Sequence, residues 1–238
     1  MRRNRTPWIG RHWARFFLLA MTVALCKARA QDSSHSVVAR FNLSSEARIY
    51  INPLSPDPVE RDLSNNFGSF YSFAFAYTFD FTNQTHIQIG IEFIPEQTLQ
   101  DRSSGVLTTD GFEVQCAELA GLFSLPFGSN IFQLYVGGGL GVYHGVRKYS
   151  VAGIPSTSVQ SLAAAGIITL VGAQFKLTSH LGLQAEMRFR DPQMTVKNAF
   201  DRESVLIDGN EYHLGTQPFT SKINLNGNVY SIGVLYSL

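Results

Sequence analysis

Cysteine is nearly absent from this chain: its 238 residues include two, Cys26 and Cys116. That excludes a disulfide-stapled miniprotein, whose small core needs several bridges. Charge is sparse as well, with 16% Asp, Glu, Lys and Arg and a formal net charge of +1. Beyond the N-terminus no stretch approaches the roughly 18 to 20 uninterrupted apolar residues of a transmembrane helix, which excludes helical spans and nothing more. The 20 glycines follow no fixed period, so a collagen-like repeat is excluded, and the 45% hydrophobic content excludes intrinsic disorder.

What is present begins with an address. Arg2, Arg3, Arg5, Arg11 and Arg15 precede the apolar run Phe16 to Cys26, and Ala28-Arg29-Ala30 supplies a small-x-small cleavage site. Residues 1–30 therefore read as a cleaved secretory signal peptide and 31–238 as one mature domain. The run is too short to cross about 30 Å of hydrocarbon as a helix. A lipoprotein site at Cys26 is disfavoured because Leu25 stands where a small residue is wanted. Seven basic and no acidic residues fall in the signal, so the mature chain has 12 basic against 18 acidic residues, a net charge of −6. A net-negative exported chain without a basic run has no electrostatic reason to bind nucleic acid. Cys116 is then alone, cannot pair within the chain, and reads as a packed small hydrophobe.

The mature chain alternates with period two. Tyr71, Phe73, Phe75, Tyr77, Phe79 and Phe81 oppose Ser72, Ala74, Ala76, Thr78 and Asp80; Ile87, Ile89, Ile91 and Phe93 oppose His86, Gln88, Gly90 and Glu92. Such alternation means strands. Eight segments qualify: Val37 to Ile51, Gly68 to Phe81, His86 to Ile94, Gly111 to Leu125, Asn130 to Val146, Ala164 to Leu177, Leu181 to Arg190 and Lys222 to Leu238. Each is long enough for the roughly 9 to 11 tilted residues that span a bilayer. The connections run 16, 4, 16, 4, 17, 3 and 31 residues, alternately long and short. Short turns at one end and long loops at the other describe an all-β, eight-stranded antiparallel up-and-down transmembrane barrel.

A soluble barrel or sandwich is the competing architecture, and volume decides between them. Eight strands leave an interior only just filled by side chains. The Phe and Tyr row therefore belongs outside and the small face inside. The fifth segment agrees, with Phe132, Leu134, Val136, Leu140 and Val142 opposing Gly137, Gly139, Gly141 and Gly145. A mean hydropathy of +0.00 follows from this cancellation of two faces.

Tyr230, Ile232, Val234, Tyr236 and Leu238 alternate through the last segment. This pattern resembles the C-terminal assembly signal of bacterial outer-membrane barrels, with Leu238 in place of the usual terminal Phe. The mature chain as a whole resembles the small OmpA, OmpX and OmpW-type barrels, without a loop motif specific to any of them. The resemblance implies location in the bacterial outer membrane, contact with its lipid and lipopolysaccharide, and recognition of the last strand by the outer-membrane assembly machinery. It implies a monomer, since a closed barrel has no free edge.

Two irregularities are expected. The apolar phase slips near Ala117 to Leu119, and Ile223 and Leu225 are out of phase with Tyr230, as bulges or strand ends above the membrane would produce. Leu162 to Ala173 reads as a strand rather than a short buried helix, from its β-branched residues and its place in the alternation.

The inward face carries the chemistry. Glu92, Glu186 and Arg188 lie about six to eight residues into their strands, roughly 14 Å or more up a tilted wall and so at mid-membrane. A basic side chain facing lipid there costs about 2 to 4 kcal/mol, so these charges are expected to pair across the lumen. Arg40, Glu46 and Arg48 on the first strand are candidates to join them. The network is expected to plug the barrel rather than conduct.

Other motifs carry little. Gly137-Gly138-Gly139-Leu140-Gly141 lacks the Lys-Ser/Thr of a phosphate loop, and the histidines show no zinc spacing. His86, His144 and His180 are expected to be ordinary interfacial residues. No catalytic residues, metal ligands or cofactor are expected, and the function read from the sequence is a non-enzymatic outer-membrane barrel serving envelope structure or surface-loop interaction. An OmpW-like conduit for small hydrophobic molecules and a lipid-modifying barrel enzyme are the alternatives. A lipid A deacylase would show His-x-Ser, which His180-Leu181-Gly182 and His213-Leu214-Gly215 do not. The acidic loop 191–221 is the expected carrier of any recognition.

Overall fold

The structure, a computed structural model, describes residues 35–102, 105–129, 131–207 and 210–238. The signal peptide lies outside the described residues. In chain order the strands are β1 (His35–Ser44), β2 (Arg48–Tyr50), β3 (Ser64–Asn66), β4 (Phe70–Asp80), β5 (Thr85–Asp101), β6 (Thr108–Ser124), β7 (Phe132–Val151), β8 (Ile154–Pro155), β9 (Thr157–Ser161), β10 (Ala164–Lys176), β11 (Leu181–Arg190), β12 (Gln193–Ala199), β13 (Ser204–Ile207), β14 (Asn210–His213), β15 (Phe219–Asn224) and β16 (Gly227–Ser237). A one-turn helix, Pro58–Arg61, is capped by the Asp57 carboxylate accepting from Val59 N–H.

Eight of these strands, β1, β4, β5, β6, β7, β10, β11 and β16, close into a ring of antiparallel neighbours, sealed by β7 against β10. Closure satisfies every ladder without an edge, the condition for β-structure in hydrocarbon. Starting at Arg40, the pairs run one way through Ala74, Glu92 and Cys116 to Tyr143. The other way they run through Gly233, Gln184 and Gln174 to Gln133, ten residues lower on β7. That stagger with eight strands gives a strand tilt of roughly 40° and a backbone radius on the order of 8 Å. Such a ring encloses a narrow lumen.

The faces fall as their sizes demand. Tyr71, Phe73, Phe75, Ile89, Phe93, Leu140, Ile167, Leu183, Met187, Ile232 and Val234 are all exposed on the outer wall. Ser72, Ala74, Gln88, Glu92, Gln184, Glu186 and Arg188 are buried inside. Aromatic residues mark both ends of the apolar band: Phe79, Phe123, Phe175 and Tyr236 toward the short turns, and Tyr71, Phe93, Phe189 and Tyr230 toward the long connections. This is the layout of a barrel in lipid.

The long connections are more ordered than their composition suggests. Strands β3-β2-β15-β12-β9 form a second sheet above the band. It is reached through bends at 45–47, 67–69, 162–163, 191–192 and 225–226, where Pro192 withholds a donor and the ladder turns. Ser45 N–H to Asn228 O and Leu225 N–H to Pro192 O carry the bonding across two of these bends. The second sheet faces the extended upper halves of β5, β6 and β7. Ile49, Met194, Val196, Ile223 and Leu225 of the second sheet and its bends pack with Phe112, Val114, Cys116 and Tyr143 of the barrel into one buried apolar cluster.

Several boundaries shift accordingly. The segments Val37 to Ile51 and Lys222 to Leu238 each split in two at a bend. The expected loop 191–221 holds β12, the hairpin β13–β14 and the start of β15. The irregularity expected near Ala117 to Leu119 is not there, since these residues pair regularly with Ile91 to Ile89; the register between β5 and β6 shifts higher up, between Ile94 and Gln97, around Pro95 and opposite Glu113. Pro95 lacks an N–H for the ladder, so the bulge forms where it sits. Ile223 and Leu225 are out of phase with Tyr230 because the bend before Gly227 separates them.

Candidate functional site

The lumen is the candidate site. Its central layer is built by β1, β5, β6 and β11, whose alternation aims Arg40, Gln88, Glu92, Glu118, Glu186, Arg188 and Arg190 inward. Arg40 Nη1 donates to Glu186 Oε2 at 2.8 Å and to Gln88 Oε1 at 3.2 Å. Arg188 Nε donates to the same Glu186 oxygen at 2.6 Å, and its Nη1 reaches Glu118 Oε2 at 2.5 Å. Arg190 Nη1 lies 2.5 Å from Glu92 Oε2, and its Nη2 donates to Ser44 Oγ at 2.9 Å. Ser72 Oγ donates to the other Glu92 oxygen. Tyr135 OH donates to Glu186 Oε1 at 2.8 Å and accepts from Gln184 Nε2 at 2.5 Å.

Three arginines thus meet three glutamates, and the layer is electrically balanced. Desolvation of each ion is offset by an opposite charge and by neutral donors, the condition under which ions persist in a low-dielectric interior. Glycine makes room for it at one crowded point. A Cβ on Gly172 would sit 2.3 Å from the Tyr135 ring, the ring whose hydroxyl holds Glu186.

Arg40, Glu92, Glu186 and Arg188 therefore lie where the sequence places them. Glu46 and Arg48 do not. They follow the bend after β1, outside the lumen, and pair with each other at 3.2 Å, with side chains 38% and 44% exposed. The bend at 45–47 ends the inward alternation on which their assignment rested. Glu118 and Arg190 are members of the same layer that the alternation also offered, since both keep the inward phase of their strands. Glu118 was masked by the apparent phase slip, and Arg190 by its place at a segment end.

Above the central layer lies the apolar cluster, and above that a second polar lock. Arg147 donates in fork geometry to Asp110, Nε to Oδ1 and Nη2 to Oδ2, both at 2.7 Å, and also bonds Ser221 Oγ. Asn65 Nδ2 donates to Asp110 Oδ2 at 2.7 Å. The Arg147 guanidinium stacks on Tyr149, 4.6 Å from its centroid. One side-chain set so joins β3, β6, β7 and β15. On the outer surface at this level, Lys148 Nζ lies 2.6 Å from both Glu96 and Glu113, which raise its pKa above the ordinary lysine value.

The short-turn end holds a third arrangement. His86 Nδ1 sits 2.6 Å from Asp80 Oδ1, and Nε2 sits 2.8 Å from Ser124 Oγ. His86 is thus partnered with a hydroxyl 38 residues away, across β5 and β6, where local spacing shows nothing. The backbone N–H of Ser124 donates to Gln84 O and that of Leu125 to Leu134 O. His180 Nδ1 lies 3.1 Å from Ser237 O, and His144 lies near Ser161 Oγ at the opposite rim. Among the described residues no His, Cys, Asp and Glu cluster could hold a metal ion.

No family model and no curated protein matches the chain. Solved structures do. OprG of Pseudomonas aeruginosa aligns with a TM-score of 0.58 at 12% identity, over 87% of this chain and 95% of that one. The fold is that of the small outer-membrane barrels. Ail of Yersinia pestis aligns at TM-score 0.43 and 14% identity over 87% and 100% of the two chains, and Neisserial surface protein A at 0.45 and 13% over 87% and 99%. At these identities the likeness speaks to the fold alone. The outward apolar band and the closed ladder supply the rest of the argument: this outer-membrane barrel crosses the bacterial outer membrane with its strands, and no helix among the described residues is long and apolar enough to cross one.

Proposed function

We propose that this outer-membrane barrel is a non-enzymatic envelope protein whose lumen is closed by the charged layer and whose outer sheet and loops meet partners at the cell surface. The observation that carries the reading is the balanced set of Arg40, Arg188 and Arg190 with Glu92, Glu118 and Glu186, each side chain fastened to a neighbour on another strand. An ion crossing the lumen would have to break these pairs in a low dielectric, which is expensive. Outer-membrane lipid and lipopolysaccharide are the surroundings proposed for the band. The assembly machinery is the proposed partner of β16 through Tyr230, Ile232, Val234, Tyr236 and Leu238, and the edge-free ring supports a monomer.

An OmpW-like conduit would need a continuous apolar path, and the apolar cluster ends on the charged layer. The lipid-modifying enzyme draws on the Asp80-His86-Ser124 row, which has the order of a hydrolase triad. Against it, the backbone N–H groups of Ser124 and Leu125 are committed to Gln84 and Leu134, so neither is free to meet an oxyanion. The row is better read as a hydrogen-bonded clasp between β4, β5 and β6.

Planar-bilayer recording tests the closed lumen. The purified protein is expected to show no conductance or very small steps; large, stable openings would contradict the reading.

A further inference from the structure

Above the lipid band the second sheet stands apart in its charge. Strands β9, β12, β15, β2 and β3 contain no aspartate or glutamate, and their charged residues are Lys197, Lys222 and Arg48. This is a cationic sheet in a chain whose residues 31–238 carry 12 basic against 18 acidic side chains. The pairing puts all three cations on one face. Lys197 stands opposite Thr220, Lys222 stands opposite Thr195 and Tyr50, and Arg48 lies one position along the same face from Tyr50. Each cation is thus the diagonal neighbour of the next across β12, β15 and β2, a spacing of about 7 to 8 Å.

That face looks away from the lumen. The opposite one carries Ile49, Met194, Val196 and Ile223 into the apolar cluster. From Leu181 to Phe200 buried positions alternate with exposed or half-buried ones without a break, straight through the bend at 191–192. Lys197 therefore lies on the same side of the wall as Met187 and Phe189, which face lipid. The other side chains of the face, among them Gln160, Gln193, Thr195, Thr220 and Ser64, are neutral.

Two of the three cations are uncommitted. Arg48 pairs with Glu46, whereas among the described residues neither Lys197 nor Lys222 has a hydrogen-bond or ion-pair partner. Lys148 on the upper part of β7 is by contrast held by two carboxylates. The acidic side chains nearest the face, Glu46 and Asp191, lie below it in the bends. Lys197 is eight residues beyond Phe189. At about 3.3 Å per residue and a tilt near 45°, it stands up to roughly 19 Å above the upper aromatic margin. The end with the long connections faces the cell exterior, where this height is the phosphorylated sugar layer of the outer leaflet.

We propose that the Lys197–Lys222 face of the second sheet binds phosphate groups of the surrounding lipopolysaccharide, whose acyl chains lie on the outer wall of β11 and β16 directly beneath. The two ammonium groups supply the charge, and the hydroxyls of Thr195 and Thr220 beside them supply neutral donors. Charge complementarity with an anionic glycolipid and continuity of the face with the lipid-facing wall select this occupant. The proposal rests on the membrane-spanning reading given above and gives the outer sheet a defined partner.

Calorimetric titration of the detergent-solubilised barrel with rough lipopolysaccharide bearing a phosphorylated core tests it, on the wild type, K197Q, K222Q, the double variant and K176Q at the short-turn end of β10. Heat-dependent gel mobility of each protein is read first. K197Q and K222Q are each expected to bind about fivefold more weakly than the wild type, the worth of one lysine near a charged lipid surface, and the double variant about twentyfold. K176Q should match the wild type, dephosphorylated lipopolysaccharide should bind the wild type as weakly as the intact form binds the double variant, and millimolar inorganic phosphate should not compete. Wild-type affinity in the double variant with mobility preserved overturns the site alone, as does equal binding of the dephosphorylated form or an equal loss in K176Q. Competition by inorganic phosphate would mean a site for free anions and overturns it too. Absence of a mobility shift in the wild type overturns the barrel reading and the site with it.

Discussion

Arg188 is the residue on which the central layer turns, because of the three arginines there it is the one that touches two carboxylates, Glu186 and Glu118, and it also reaches Gln88. Replacing it by methionine keeps the length and removes both pairings, leaving Glu118 without its cation. Removing one partner of a buried pair costs about 3 to 5 kcal/mol, so R188M should lower stability by that order in urea titrations followed by circular dichroism in lipid vesicles. A loss under about 1 kcal/mol would mean the layer is hydrated and weakly coupled. Adding E118Q to R188M removes the orphaned charge and should recover part of the loss. Ser124 makes a second prediction at this scale. A fluorophosphonate probe should not label it, since its own N–H and that of Leu125 are committed to the ladder, and labelling lost in S124A would show a nucleophile instead of a clasp. Period-two alternation made Arg40, Glu92, Glu186 and Arg188 legible as inward groups. It could not tell that the chain bends after Ser44, which sends Glu46 and Arg48 outside, nor that His86 and Ser124 meet across strands.

Among the elements, the eight spanning strands were legible because each must alternate to satisfy lipid on one side and a narrow lumen on the other. The strands above the membrane obey no such rule. There β12, β15 and β2 bury Met194, Val196, Ile223 and Ile49 against the upward extensions of β5 to β7, and short polar-looking runs become a sheet through tertiary packing. The hairpin β13–β14 differs from them, since among the described residues it forms a separate two-stranded sheet. Replacing residues 202–214 by a short Gly-Ser linker should therefore leave heat-dependent mobility unchanged while removing whatever surface binding the hairpin provides. A deletion reaching into β12 should disturb the upper cluster and lower resistance of the outer sheet to added protease. Equal protease resistance in the two deletions would show that β12 contributes nothing to the cap.

For the whole molecule, the same sequence facts that resemble a soluble domain, balanced hydropathy and no long apolar run, arise from a wall one residue thick with lipid on one side and ion pairs on the other. The lumen is layered: a clasp at the short-turn mouth, a charge-balanced middle, an apolar cluster and the Arg147–Asp110 lock at the outer end. The direction of the faces is the claim on which every layer depends, because a soluble barrel would place Phe73, Phe75 and Ile89 inside and Glu186 in water. Membrane fractionation of the expressed protein, followed by gel electrophoresis of boiled and unboiled samples, tests that direction. The account predicts recovery in the outer-membrane fraction after a urea wash, with faster migration before boiling than after. Recovery as a soluble periplasmic protein whose mobility is indifferent to heat would contradict it.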